Sequence, residues 1–76
     1  QGIASAQSNL GVMYENGQGV LQDNTRAHMW FNIAASSGLA PAAQNRDNIA
    51  KRMTAADISK AQALARECVK KEYRGC

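Results

Sequence analysis

A chain of 76 residues allows one small domain, which buries only about 60% of its unfolded surface and leaves little room for a catalytic cleft walled on all sides. Hydrophobic residues make up 45% and aromatics 5%, with a single proline; such an alanine-rich composition suits closely packed helices, and no apolar run approaches the roughly 20 residues of a membrane span. The formal net charge of +3 is unevenly spread: from Leu39 onward eight Lys/Arg stand against four Asp/Glu, and before it one stands against two.

In chain order, Ile3, Ala6, Leu10, Met13 and Tyr14 form one apolar stripe, which predicts a first helix from Ala4 to Asn16. Ala27, Trp30, Phe31, Ala34 and Ala35 give the i, i+3, i+4, i+7, i+8 pattern of a second helix. Asp23 or Asn24 is placed to cap it and Gly38 to end it. Pro41 fits the first turn of a third helix, whose stripe is Ala42, Ile49, Ala50 and Met53. Thr54-Ala55-Ala56-Asp57 resembles a capping box with Asp in place of Glu. A fourth helix follows with Ile58, Ala61, Ala65, Cys68 and Val69 on one stripe, fraying near Tyr73 to Gly75. No segment alternates with the period of a strand. The expected fold is all-α: four helices in two antiparallel hairpins.

Gly17 and Gly19 invite comparison with a phosphate-binding loop. Such a loop lies between a strand and a helix and carries Lys and Ser/Thr for a nucleoside triphosphate. Here the glycines follow a helix, and neither Gly-Lys-Ser/Thr nor a third fingerprint glycine is present. Gly17 is instead suited to a left-handed helix C-cap, with Gly19 bending the connection before Val20.

The chain also echoes itself. Gln1-Gly2-Ile3-Ala4-Ser5-Ala6 is answered by Ser37-Gly38-Leu39-Ala40-Pro41-Ala42, about 36 residues later. A period of this size marks stacked helical pairs. It also suggests that Gln1-Gly2 ends a preceding unit, and that the chain is the C-terminal piece of a longer array.

Ala6, Leu10, Gly11, Tyr14, Gly17, Gly19, Val20, Asp23, Ala27, Trp30, Ala34, Ala35, Gly38 and Ala42 resemble the consensus of the Sel-one-like repeat, a subclass of tetratricopeptide-like helical repeats. The resemblance implies an αα-hairpin repeat of a right-handed solenoid at residues 1–40, in which Gly11 is small because the partner helix crosses there and Trp30 is the large wedge between helices. Residues 41–76 depart from the consensus. Arg46 stands in the slot of Leu10, Asp47 in that of Gly11, and no Gly-x-Gly follows. This second unit is expected to be a degenerate C-terminal capping pair, with Lys60, Arg66, Lys70 and Lys71 on a polar outer face. The family resemblance implies protein–protein interaction and scaffolding, without catalysis or cofactor.

Cys68 and Cys76 are too few for a tetrahedral zinc site, His28 being the sole histidine. Their spacing is also wrong for a Cys-x-x-Cys redox motif. On one continuous helix they would stand about 12 Å apart along the axis, so bridging needs a reversal of the chain, for which Gly75 is a plausible place. Ala35 and Ala43, also eight apart, straddle the corner between the second and third helices and offer a template. The spacing resembles the cysteine-rich, disulfide-bridged members of the same repeat family. A disulfide would imply an oxidising compartment, periplasmic or secreted, in a bacterium; the alternative is two free thiols in the cytosol. Some of that cysteine-rich group bind or slowly hydrolyse β-lactams, which gives a second functional reading, although no Ser-x-x-Lys is present.

His28 is expected on the surface, pointing away from the Ala27–Trp30–Phe31–Ala34 stripe. Met13, Met29 and Met53 suit packing rather than ligation. Asp57 with Lys60, and Glu67 with Lys70 or Lys71, have the spacing of surface ion pairs. In helical-repeat arrays the first helix of each pair lines the concave face. The resemblance therefore assigns partner contacts to Ser5, Ser8, Val12, Glu15 and Asn16, and to Pro41, Gln44, Asn48, Lys51 and Arg52. A solvated face would read the same way. A third reading, binding of an anionic surface or nucleic acid by the basic second half, lacks the interleaved aromatics of a single-strand platform. With fewer than three repeats, Ile3, Ala6 and Leu10 would be left partly uncovered, so the chain is expected to form a homo-oligomer through that end.

Overall fold

The computed structural model describes residues 2–76 and contains four helices: α1 (Gly2–Asn16), α2 (Asn24–Ser36), α3 (Ala40–Ala50) and α4 (Ala55–Lys70). The all-α expectation holds. Gly2 opens α1, and Gln1 lies outside the described residues. Asp23 caps α2 by accepting from the Arg26 backbone N–H at 3.2 Å. Thr54 caps α4 by accepting from the Asp57 N–H at 3.1 Å. Pro41 sits in the first turn of α3, where its missing N–H leaves no intrahelical bond unmade. Gly17 ends α1 with φ +68°, and the following Gln18 N–H closes back on the Met13 carbonyl at 2.9 Å. This is the left-handed cap expected of it.

α2 is the hub. It packs broadly against α1, α3 and α4, whereas α3 and α4 share no comparable interface. The second antiparallel hairpin expected from the sequence is therefore not closed on itself. The reason is that two apolar clusters occupy different flanks of α2. Ile49 of α3 joins Ala27 and Phe31 on one flank. Ala65 and Cys68 of α4 join Met29, Trp30 and Ile33 on the other. Tyr14 of α1 packs against both clusters.

The buried stripe of α1 is Ala4, Gln7 and Gly11, not Ile3 and Ala6. Ile3 is 68% exposed, while Leu10, Met13 and Tyr14 are half-buried. Small residues define the contact line because α2 lies close. A Cβ on Gly11 would stand 2.6 Å from Cε1 of Phe31, which is fully buried. At an open helix position Gly→Ala stabilises by about 1 kcal/mol. Here overpacking of about 1–3 kcal/mol opposes it, so Gly11→Ala is expected to lower the urea midpoint. A raised midpoint would place α1 farther from α2.

Val69, assigned to the apolar stripe of α4, is 49% exposed. Ala61, Ala65 and Cys68 carry the buried face.

Candidate functional site

The chain reversal after α4 is built from two residues in left-handed conformation, Glu72 (φ 56°) and Tyr73 (φ 66°), with Gly75 at φ +73°. Gly75 thus contributes to the reversal, but the turn begins earlier than expected. The Tyr73 N–H bonds to the Cys68 carbonyl at 2.8 Å, and the Leu39 N–H bonds to the Ala34 carbonyl at 3.1 Å. Flanking bonds match in the same register: Lys71 to Glu67 as Ser37 to Ile33, and Glu72 to Val69 as Gly38 to Ala35. Cys68 and Cys76 therefore correspond to Ala34 and Ala42, one residue before the Ala35 and Ala43 template. The two cysteines lie at disulfide distance, their Cα atoms 5.7 Å apart. Arg26 donates to the Cys76 carbonyl at 3.1 Å, which ties the returning segment to the start of α2.

The residues assigned to partner contact fall into two groups. Glu15 and Arg52 meet in an ion pair of 2.9 Å that links the end of α1 to the loop after α3. Val12 packs against the Ala27–Phe31–Ile49 cluster and is half-buried. Ser5, Asn16, Pro41, Gln44, Asn48 and Lys51 are exposed, and Ser8 is half-buried. Ser5 also borders a small cleft of about 180 Å³, shared with Ala4, Ser37, Gly38 and Leu39. This face offers amides and hydroxyls around one internal ion pair. It suits hydrogen bonding to a polypeptide and holds no nucleophile–base pair. Among the described residues no three His, Cys, Asp or Glu side chains cluster as metal ligands would.

His28 corrects the surface expectation. It is 3% exposed, and its Nδ1 has no hydrogen-bond partner. Five consecutive residues of α2, Ala27 to Phe31, are buried, because neighbours cover the helix on several sides. Burial holds the His28 pKa below its usual value. The Arg46 guanidinium acts in the same direction, and Asp47 opposes both. The folded state therefore favours neutral His28, and the unfolded chain takes the proton first. Stability is full above the unfolded pKa of about 6.5 and falls as pH drops through the folded pKa. The urea midpoint is expected to decline from pH 7 to pH 5, and His28→Leu is expected to flatten that decline. An unchanged slope in the variant would assign the pH dependence to other groups.

Two further polar contacts escaped the sequence reading. Gln7 is buried, and its Oε1 accepts from the Ser37 hydroxyl at 3.2 Å across the α1–α2 pair. Arg46 donates to Asn32 Oδ1 at 2.9 Å, so the slot filled by Leu10 in the first unit carries a polar tie to α2 in the second. The helix-surface pairs expected for Lys60, Lys70 and Lys71 are absent among the described residues. The ion pairs present there involve Arg26, Arg46, Arg52 and Arg74.

An antiparallel α1–α2 pair closed by a left-handed glycine cap, with a third helix laid on α2, defines a helical-repeat module of the tetratricopeptide-like class. The family model of the Sel1 repeat matches residues 4–39; Sel1 repeats are helical units that mediate protein interactions. No curated protein and no solved structure matches the chain. No helix among the described residues is long and apolar enough to cross a membrane.

Proposed function

We propose that the chain is a non-catalytic scaffold element that binds a protein or peptide along the polar face of α1 and α3. The supporting observation is the Glu15–Arg52 ion pair of 2.9 Å. It ties the end of α1 to the loop that follows α3, and on this reading Ser5, Ser8, Asn16, Gln44, Asn48 and Lys51 line the partner surface on either side of it. Val12 supports that surface from beneath, packed on Phe31 and Ile49. Residues 41–76 act as the capping pair of the array. Cys68 and Cys76 form a disulfide in an oxidising compartment outside the cytosol, a location their disulfide distance is compatible with. Ile3, exposed at the N-terminal end, provides an apolar contact for a second copy or a preceding unit.

The test is capture from a lysate by the purified chain, read by mass spectrometry, with Lys51→Glu and the charge swap Glu15→Arg/Arg52→Glu as parallel baits. The swap retains opposite charges at the bridge, so loss of a captured protein with it reports partner contact rather than a loosened surface. A protein held by the parent and lost with both variants supports the reading. Capture unaffected by both would exclude this face.

A further inference from the structure

A groove of about 440 Å³ runs between α2 and α4, and none of its lining belongs to α1 or α3. Its volume lies in the range of pockets that enclose small ligands or anchoring side chains, about 300–1,000 Å³. Ile33, Ala65 and Val69 give it an apolar lining, to which Asn32 and Ser36 add polar side chains. Arg66 and Lys70 stand one helical turn apart along α4 and border the same groove. Both are exposed, and neither has an ion-pair partner among the described residues. Glu67, spaced to serve Lys70, does not pair with it.

We propose that this groove binds a short acidic peptide segment, with one apolar side chain entering the Ile33–Ala65–Val69 lining and flanking carboxylates pairing with Arg66 and Lys70. The shape of the apolar part selects this occupant. It is concave, so a side chain must enter it, whereas docking on a lipid surface needs an apolar protrusion. No aromatic ring lines it, so a nucleic acid would gain phosphate contacts but no base stacking. Two unpaired cations beside an apolar hollow complement a peptide that carries both charge and an anchor. This surface is independent of the α1–α3 face, and the two proposals fail separately.

The test is an NMR titration of the isotope-labelled full chain with the peptide acetyl-Asp-Glu-Leu-Glu-Asp-amide. Expected are saturable shifts at the amides of Ile33, Ala65, Arg66 and Val69. Affinity is expected to fall at least tenfold in Arg66→Glu/Lys70→Glu, and by a similar factor when the central Leu of the peptide is replaced by Gly. Lys60→Glu, an exposed position on α4 that does not line the groove, is expected to leave the affinity within twofold. Both reversed residues are exposed, and a circular dichroism spectrum like the parent's verifies the fold. Shifts confined to α1 and α3, equal affinity for the glycine peptide, or no saturable binding at millimolar peptide would overturn the proposal. So would binding of phosphatidylserine vesicles or poly(U) that the double variant abolishes while the peptide does not bind.

Discussion

Phe31→Ala is expected to remove about 3–5 kcal/mol of stability, the usual loss on truncating a fully buried aromatic ring. Phe31 is fully buried and lies where three helices converge. Its ring fills the space left by Gly11 on α1, and it packs with Ile49 of α3 and Ala27 of its own helix. Truncation leaves a cavity that Gly11 has no side chain to fill and that the rigid backbone of α1 cannot close without shifting Ala4 and Gln7. A domain of this size has a total stability of about 4–11 kcal/mol, so the variant should lose much of its cooperative unfolding transition. Circular dichroism during a urea titration is the measurement. A loss under about 1 kcal/mol would mean that α3 is not held against α2 through this ring.

Cys76→Ser is expected to lower stability by about 2–3 kcal/mol, the chain-entropy contribution of closing so short a loop. The loop matters because α4 reaches the rest of the molecule mainly through α2. Cys68 is buried in the Met29–Trp30–Ile33 cluster, and Cys76 packs against the same cluster. The bridge would therefore pin the end of α4 to the hub. It would also hold the Cys76 carbonyl within reach of Arg26. The parent chain in reductant is expected to unfold at the same urea concentration as the variant. A parent whose midpoint is indifferent to reductant would show that the two thiols are free in solution.

The helices and three of their caps were legible because each rests on local chemistry, and the close approach at Gly11 was implied by the resemblance to the repeat family. Asp23 and Thr54 bond to N–H groups three residues on, Gly17 takes a left-handed φ, and a missing Cβ admits a ring. The number of neighbours around α2 was not legible. Apolar spacing identifies the richest face of a helix, not how many helices cover it. His28 was therefore placed outside, although the unbroken run Ala27 to Phe31 is the pattern of a helix enclosed on several sides. Val12 was assigned to a partner for a related reason: the packing line of α1 is shifted onto Ala4, Gln7 and Gly11, which brings Val12 toward Phe31 and Ile49. The corner register was off by one residue because Glu72 takes the left-handed position that glycine holds at Gly38, and a glutamate gives no sequence signal for it. The Glu15–Arg52 pair joins residues 37 apart in sequence, beyond the reach of any local pattern. Its two members were nonetheless both placed on the proposed face.

On the proposed function, the α1–α3 face meets a partner protein. Site-specific photo-crosslinking tests it most directly, with a benzoylphenylalanine placed at Gln44 or Asn48 and, as control, at the exposed Gln22 of the α1–α2 loop. A discrete protein adduct is expected from positions 44 and 48, lost in the Lys51→Glu background, and none from position 22. Equal adducts from all three positions, or none from 44 and 48 in a lysate that yields a captured protein, would contradict it.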